Sequence, residues 1–363
     1  MATAALTVSR LHARPVSVPM RRPLSTGGGT LERFLVVLID LETREGIVGR
    51  SYVFCPGLAA LRPLAILIEG MGAMLKDAPA APVAIERFLV KRFALLGVPG
   101  LVGMAIGGID MAAWDAAAKA AGLPLVRLLG GVPKPIPVYN SCGLGHGEVE
   151  LVAREARALA QGFRAVKLRL GYGAREADLA AVRAVKAAIP ADTALMVDFN
   201  QCLDVPEALA RGRMLDGEDL AWIEEPVRAD DDSGNAQLAA ALGTPVQVGE
   251  NFWGSFDMAR AIAARACDLV MPDVMRIGGV TGWLRAAALA HAHGLPMSSH
   301  LFPEVSAHLM AVTPTAHWLE YVDWQNPVLA EPFKVEDGSV LIPETPGTGV
   351  AWDEKAVAKY LVS

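Results

Sequence analysis

Ionisable residues end a series of short apolar runs over the last two thirds of the chain. They recur at intervals of 20 to 31 residues, at Lys167, Asp198, Glu224, Glu250, Asp273, His300 and Glu320. A strand that is buried on both faces is normally apolar, so a charged residue at its end requires a reason. A single acid of this kind is readily explained as the N-cap of the following helix. Because they recur in successive units, we predict that these side chains converge on one site.

The three acids Asp198, Glu224 and Glu250 predict a metal site. Carboxylates that converge without basic partners repel one another, and a divalent cation relieves that repulsion. Ligation by oxygen alone, without cysteine or histidine, favours Mg²⁺ or Mn²⁺ over zinc. Asn200, two residues beyond Asp198, adds a polar group. The alternative is a hydrogen-bonded structural cluster of acids.

The basic members of the series have two interpretations each. Lys167 and Arg169 are two residues apart on a predicted strand, so their side chains point to the same face. Inside a barrel they need anionic partners, whereas on the outside they would be surface charges. Asp273 and His300 end successive runs, and a carboxylate beside an imidazole fixes its tautomer and raises its basicity. This pair therefore predicts a general base, although a lone histidine at a strand end is more often structural.

The apolar runs have the length of strands, and alanine-rich segments of helix length separate them. The runs span residues 165–170, 194–198, 221–224, 246–250, 269–273, 296–300 and 318–320. Strands that alternate with helices indicate βαβ units and a parallel sheet. In a (β/α) barrel, the carboxyl ends of the strands meet at one mouth, where enzymes of this architecture carry their chemistry.

The first third of the chain has a different pattern. Strands flank a predicted hairpin turn at residues 43–46, and helices are predicted from Leu61 to about Gly130, so this part is an α+β unit. Three adjacent glycines at 27–29 favour a mobile loop, which is either a simple connector or a lid over a site.

The composition excludes several classes of protein. The chain is 53% hydrophobic, its net charge is -6, and it has no long basic run, which excludes a nucleic-acid or membrane-surface partner. The uncharged segment 93–109 is interrupted by five glycines and Pro99, so it does not fit a membrane span. The four cysteines form no C-x-x-C pair, and we expect reduced thiols in a cytoplasmic protein.

The residues around the polar positions form motifs. They are V-K-x-R at 166–169, V-D-F-N-Q at 197–201, W-I-E-E-P at 222–226, G-E-N at 249–251, M-P-D at 271–273 and S-S-H-L at 298–301, with G-I-D-M-A-A-W-D at 108–115 and R-I-G-G-V-T-G-W at 276–283. Together they resemble the enolase superfamily, mandelate racemase subgroup, from about residue 6 to the C terminus.

The resemblance implies an α/β fold, a modified (β/α)7β barrel of the TIM type with an α+β N-terminal capping domain. It places the capping domain at residues 1–135, the catalytic barrel at 136–322, and at 323–363 a C-terminal segment that packs back on the capping domain. It further implies a homo-oligomer, either a dimer or an octamer.

The resemblance also implies the roles of the site residues. Mg²⁺, or Mn²⁺, would be held by Asp198, Glu224 and Glu250, where it binds a substrate carboxylate and stabilises an enediolate. His300, paired with Asp273, would be the base for one enantiomer. Lys167 would contact the substrate carboxylate, and Glu320 would donate a hydrogen bond to the other oxygen of that carboxylate. Ser141 and Asn200 would be polar groups in contact with the substrate.

One position departs from the pattern. The usual strand motif is Lys-x-Lys, and its second lysine is the base on the other face, but this chain has Arg169 there. Arginine stays protonated under ordinary conditions, whereas the pKa of a lysine can be lowered by a neighbouring cation and by desolvation. Racemisation with two bases is therefore in question, while chemistry from the His300 side is unaffected.

The resemblance leaves three functions to compare. The first is a mandelate racemase-like racemase or epimerase of a 2-hydroxy carboxylate, and it is favoured by an apolar lid at Leu24 and Leu31, with Tyr52 nearby. The second is an acid-sugar dehydratase, a lyase in which the Asp273-His300 dyad serves as acid and base. The third is a catalytically silent homologue that only binds, and the presence of all the metal acids argues against it.

Overall fold

The first three strands form an antiparallel sheet in the computed structural model of the chain, which describes residues 6–26, 29–145 and 147–362. The strands are β1 (Val8–Thr26), β2 (Gly29–Thr43) and β3 (Val48–Phe54). The predicted turn at 43–46 joins β2 to β3. Of the predicted glycine loop at 27–29, Gly29 begins β2, and residues 27 and 28 are outside the described part. The β1-β2 register shifts between Pro19 and Leu24, since proline lacks the N–H that the ladder requires.

Four helices follow, of which α1 and α3 pack on this sheet. They are α1 (Leu58–Leu75), α2 (Pro82–Arg92), α3 (Leu101–Ala120) and α4 (Leu125–Leu128). Helix α3 is buried along most of its length and also contacts the second half of the chain, where Trp114 donates to the Thr281 hydroxyl at 2.9 Å. Gly107 permits this approach, because a Cβ there would lie 2.1 Å from the carbonyl oxygen of Met275.

The second half of the chain alternates strands with helices. The strands are β4 (Ile136–Asn140), β5 (Ala165–Arg169), β6 (Ala194–Asp198), β7 (Ile223–Glu224), β8 (Val246–Val248), β9 (Leu269–Val270) and β10 (Leu319–Tyr321). The helices are α5 (Val149–Leu159), α6 (Arg175–Ala188), α7 (Val205–Leu215), α8 (Asp232–Ala241), α9 (Ser255–Ala263), α10 (Gly279–His293) and α11 (Pro303–Val312).

Strands β4 to β9 are parallel neighbours in chain order, and β10 returns to pair with β4. Residues 297–300 fill the position between β9 and β10 through bridges from Met297 to Val270 and Ala316, and from His300 to Asp273. Eight strand positions with seven intervening helices make the (β/α)7β barrel, and the predicted fold class is confirmed.

The end of the chain returns to the first sheet. After the short hairpin of β11 (Val335–Glu336) and β12 (Ser339–Val340), helix α12 (Glu354–Tyr360) lies against β1. The backbone N–H of Val362 donates to Pro15 at 2.9 Å, and the indole of Trp352 donates to Asp40 at 2.9 Å. The division at residues 135 and 322 stays a prediction.

Helices α1 and α3 are long and apolar enough to cross a membrane by length and composition alone. Within α3, 83% of the apolar window is buried inside the protein, and α1 buries one face on the first sheet. The core helices of a folded domain can be as long and as apolar as membrane spans. The packing of α1 and α3 inside the protein therefore accounts for their composition. All four cysteines are free thiols.

Candidate active site

The carboxyl ends of the barrel strands bring the predicted ionisable side chains together at one mouth. Lys167, Asp198 and Glu224 lie on the strands themselves, Glu250 lies two residues after β8, and Asp273 and His300 form a bridge with each other. All are buried except Glu250 and His300, which are half-buried. The alternatives of outward-facing cations and of acids that serve only as helix caps are therefore wrong for this group.

The three predicted metal acids form one cluster. Asp198, Glu224 and Glu250 each offer an oxygen, and these oxygens lie within 4.8 Å of one another. Asp198 accepts from the Asn200 backbone N–H at 2.8 Å and from its side-chain amide at 3.0 Å. Glu224 accepts from the indole of Trp222 at 2.9 Å. These bonds fix the carboxylates of Asp198 and Glu224.

The cluster has the donor chemistry of a hard divalent cation. Burial raises the pKa of Glu224 to about 8, against the opposing effect of Lys167 and with a further rise from Asp198. A cation among the three acids would favour their ionised forms. Ligands that are all oxygen match Mg²⁺ better than zinc, so the residues present fit the predicted ion.

Lys167 lies at the centre of the acids. Its Nζ is 2.6 Å from Glu224, 3.1 Å from Glu320 and 3.2 Å from Asp198. Burial lowers the pKa of Lys167, but the neighbouring carboxylates, led by Glu224, raise it further, to well above its usual value. Lys167 is therefore a fixed positive charge beside the metal cluster.

His300 and Asp273 form the predicted pair. The Nδ1 atom of His300 is 2.7 Å from Asp273 Oδ2, and the other Asp273 oxygen accepts from the N–H groups of Met275 and Arg276. The Nε2 atom of His300 lies 3.4 Å from Glu250. Burial lowers the pKa of His300, but Glu250, Glu320 and Asp273 together raise it to about 9.

Glu320 accepts hydrogen bonds in this arrangement. It accepts from the Leu301 backbone N–H at 2.8 Å, and its other oxygen is the one near Lys167. Burial raises the pKa of Glu320, but Lys167 and His300 lower it more, to well below its usual value. The predicted donation to a substrate oxygen requires the protonated form, which these neighbours disfavour.

Among the described residues, Arg169 forms no ion pair with these acids, although it shares a strand with Lys167. Its Nη1 donates to the carbonyl oxygens of Ser141 at 3.2 Å and Gly143 at 2.5 Å, and its Nη2 donates to the Ser141 hydroxyl at 2.7 Å. The structure therefore brings Arg169 to the segment after β4, and Ser141, predicted as a substrate contact, is its partner.

The remaining predicted substrate contacts lie on the first domain. Leu24 and Leu31 pair across the β1-β2 hairpin, and Leu24 is buried. Tyr52 is buried on β3 with its ring 5.0 Å from that of Phe302, and its hydroxyl donates to Glu304 at 2.6 Å. The Tyr52 hydroxyl is thus already engaged by the protein.

Sequence reasoning missed three side chains that support the cluster. The indole of Trp222 donates to Glu224, and its position two residues before Glu224 in the same apolar run is a signal that could have identified it. The Tyr172 hydroxyl donates to Asn200 at 3.1 Å. Arg276 stacks on Trp253 and lies 3.7 Å from Glu250. Arg276 opens the motif at 276–283, but its contact with Glu250 has no sequence signal, and neither has Tyr172, because both residues lie in loops.

Two family models match the chain over most of its length. The model described as "Mandelate racemase / muconate lactonizing enzyme, N-terminal domain" matches residues 9–130. The model described as "Enolase C-terminal domain-like" matches residues 151–356.

Individual proteins match over nearly the whole chain as well. The L-talarate/galactarate dehydratase of Salmonella typhimurium is 33% identical over 90% of this chain and 82% of its own length. The structure of an enolase from the alpha-proteobacterium BAL199, with bound magnesium, superposes with a TM-score of 0.97 at 47% identity and covers 98% of this chain and 100% of its own. A Bradyrhizobium enolase in complex with magnesium and mandelic acid superposes with a TM-score of 0.95 at 44% identity, over 100% of both chains.

Proposed function

This chain belongs to the mandelate racemase subgroup of the enolase superfamily, and we propose that it is a Mg²⁺-dependent enzyme in which His300 abstracts the α-proton of a 2-hydroxy carboxylate. We further propose that the reaction continues as the loss of water from an acid sugar. The observation that carries both statements is the contrast between His300, which is prepared as a base, and Arg169, which is bound to backbone carbonyls.

Asp198, Glu224 and Glu250 would hold the cation, since they are the three acids whose oxygens converge. When bound, Mg²⁺ would fix the substrate carboxylate and stabilise the negative charge that develops as the α-proton leaves. Similar proteins crystallised with magnesium support this assignment. Mn²⁺ has the same preference for oxygen ligands.

The chain's own residues supply orientation and proton transfer. Asp273 holds His300 through Nδ1, so the Nε2 atom is the one directed at the acids and at a substrate bound beside them. Lys167 presents its charge at the same place, where it would compensate the substrate carboxylate. Asn200, which donates to Asp198, and Ser141, which accepts from Arg169, would supply the polar contacts to the substrate.

A single competent base favours elimination over racemisation. Racemisation needs a proton acceptor on each face of the α-carbon. The second acceptor would have to come from β5, which carries Arg169 and lies three strand positions around the barrel from the 297–300 segment that carries His300. Arg169 stands where the second base would be, and its guanidinium donates three hydrogen bonds instead of accepting a proton.

In the elimination, the bond from Cα to hydrogen breaks and His300 takes the proton. The electron pair forms a double bond to Cβ as the hydroxyl group on Cβ leaves, and His300 returns the proton so that water departs. The resulting enol tautomerises to a 2-keto-3-deoxy acid. The similar L-talarate/galactarate dehydratase supports this proposal.

Racemisation of an aryl or alkyl 2-hydroxy acid is the second candidate. The observation in its favour is the apolar pair Leu24 and Leu31 on the hairpin, together with the similar Bradyrhizobium enolase that binds mandelic acid. A purely binding role has no such support, because the metal acids and the His300-Asp273 pair are all in place.

The test is incubation of the purified protein with Mg²⁺ and a panel of 2-hydroxy acids that includes galactarate, other acid sugars and both mandelate enantiomers. Formation of a 2-keto acid from an acid sugar supports dehydration, and His300→Asn should abolish it. Loss of optical rotation from mandelate without keto acid would favour racemisation. Failure to turn over or exchange any acid in the presence of Mg²⁺ would contradict the proposed function.

We also expect a homo-oligomer, a dimer or an octamer, in the cytoplasm. Large apolar side chains on the surface, such as Leu95, Leu96 and Phe256, are consistent with subunit contacts. The mass of the protein in solution, from light scattering, tests the oligomeric state.

A further inference from the structure

Arg169 connects the second barrel strand to the segment that follows the first. In addition to its three side-chain hydrogen bonds to Ser141 and Gly143, its backbone N–H donates to Leu144 at 2.9 Å. Arg169 is only 5% exposed, so these bonds are shielded from water. A planar guanidinium can serve several acceptors at once, whereas the ammonium of lysine has no such fixed fork.

The segment 141–145 needs this support because its backbone is unusual. Leu144 adopts a positive φ of 55°, a conformation that costs free energy for a residue with a side chain. Its N–H donates to Glu155 at 3.1 Å, and a Cβ on Gly143 would lie 2.4 Å from the same carboxylate. The segment is therefore clamped between Glu155 on α5 and Arg169 on β5.

Both ends of this segment lead to functional parts of the molecule. Ser141, whose hydroxyl accepts from Arg169, donates through its backbone N–H to the carbonyl oxygen of Tyr321 at 3.0 Å, directly after Glu320 on β10. At the other end, Gly145 touches the β1-β2 hairpin so closely that a Cβ would lie 2.7 Å from the Ser25 carbonyl oxygen. Arg169 thus acts on the barrel mouth and on the hairpin through one short segment.

We propose that Arg169 is a positioning residue, which orients the Ser141 hydroxyl toward the substrate carboxylate and fixes the surface on which the hairpin rests at Ser25. This assignment rests on the proposed function, because it takes the space beside Ser141 and Glu320 as the substrate site. It gives Arg169 a role that needs no proton transfer, in a position where the family pattern has a second lysine.

The experiment compares Arg169→Lys and Arg169→Gln with the wild type in the presence of Mg²⁺. Hydrogen–deuterium exchange should become roughly tenfold faster or more in peptides that cover residues 141–145 and 17–25 in both variants. With the acid that the wild type turns over, KM should rise roughly tenfold while kcat changes less than about threefold, since lost orientation weakens binding before it affects His300. Lysine should not rescue either property.

Arg211→Lys is the matched control. Arg211 is another buried arginine with a forked set of partners, Asp178, Glu207 and the Gly173 carbonyl, on helix α7 outside the site. This variant should lower the melting temperature without a change in KM or in exchange at residues 141–145.

Two results would overturn the proposal. One is unchanged hydrogen exchange at 141–145 and 17–25 in both Arg169 variants. The other is an Arg169→Lys variant with wild-type KM and activity, which would mean that a cation or a base at this position is sufficient. If the wild type acts on no acid, the proposed function fails, while the exchange measurement still decides whether Arg169 fixes the segment.

Discussion

The imidazole of His300 and the carboxylate of Asp273 meet at 2.7 Å across two successive strand positions of the barrel. The bond occupies Nδ1 and leaves Nε2 directed toward Glu250, so the pair fixes which nitrogen can take up a proton. The second Asp273 oxygen accepts from the backbone of Met275 and Arg276, which prevents the carboxylate from rotating away.

Asp273→Asn should reduce kcat by about 10²- to 10⁴-fold with little change in KM, because the base loses its charged partner while the side chain keeps its shape. The measurement is steady-state kinetics with the substrate found in the acid panel. Circular dichroism should remain that of the wild type. A variant that retains the wild-type kcat would show that Asp273 does not prepare His300.

Glu250→Gln should weaken Mg²⁺ binding by at least about tenfold and abolish turnover with little loss of fold, because it removes one charged oxygen from the three-acid cluster. Calorimetric titration of the metal-free protein with MgCl₂ measures the affinity. Glu331→Gln, at an exposed position remote in sequence from the cluster, is the matched control. Unchanged affinity in Glu250→Gln would remove this residue from the ligand set.

Tyr52→Phe should lower the free energy of unfolding by about 1–3 kcal/mol, because Glu304 loses a buried hydrogen-bond donor. Burial raises the pKa of Glu304, and the remaining bond from Gln325, at 2.7 Å, reaches only its other oxygen. Urea denaturation gives the value, with the half-buried Tyr360→Phe as control. Equal free energies of unfolding for the wild type and Tyr52→Phe would mean that the Tyr52–Glu304 hydrogen bond makes no net contribution to stability.

His308 should make the protein less stable in acid. Burial lowers the pKa of its imidazole to about 4, and the neutral ring accepts from the Val126 N–H while Nε2 contacts the Thr348 carbonyl. Between about pH 6.5 and pH 4 the unfolded chain binds a proton at this ring that the folded protein does not bind. The free energy of unfolding should therefore decrease as the pH is lowered from about 6.5 to 4, and this group contributes up to about 1.4 kcal/mol per pH unit.

The control for this prediction is His308→Gln, which retains a donor and an acceptor but does not titrate. Denaturation curves at several pH values should give a smaller slope for the variant between pH 4 and 6.5, since the other titrating groups contribute equally to both proteins. Identical slopes would exclude His308 as the source.

The sequence predicts the barrel and the convergence of its acids because both follow from local patterns. Each apolar run ends in its polar residue at the strand end, so a repeat of about one strand and one helix places Asp198, Glu224 and Glu250 side by side. The predicted runs do not include the first barrel strand, Ile136–Asn140, because Pro137 weakens its strand pattern.

The environment of Arg169 lay beyond sequence reasoning. Its spacing from Lys167 predicts a shared face, but it donates to the Ser141 hydroxyl and to the backbone carbonyls of Ser141 and Gly143, and only the folded chain brings that segment beside β5. Every residue has a backbone carbonyl, so the residue types give no sign of which carbonyls accept from Arg169. The engagement of Tyr52 with Glu304 is hidden for a similar reason, because it joins residues 252 positions apart.

The most direct test of the central claim, that His300 is the single base, is α-proton exchange in D₂O with Mg²⁺, followed by ¹H NMR. The substrates are acid sugars epimeric at the α-carbon and both mandelate enantiomers. We predict exchange or dehydration of only one configuration, lost in His300→Asn and retained in Arg169→Gln. Exchange of both configurations with loss of optical rotation would contradict the account and would make Arg169 a working base.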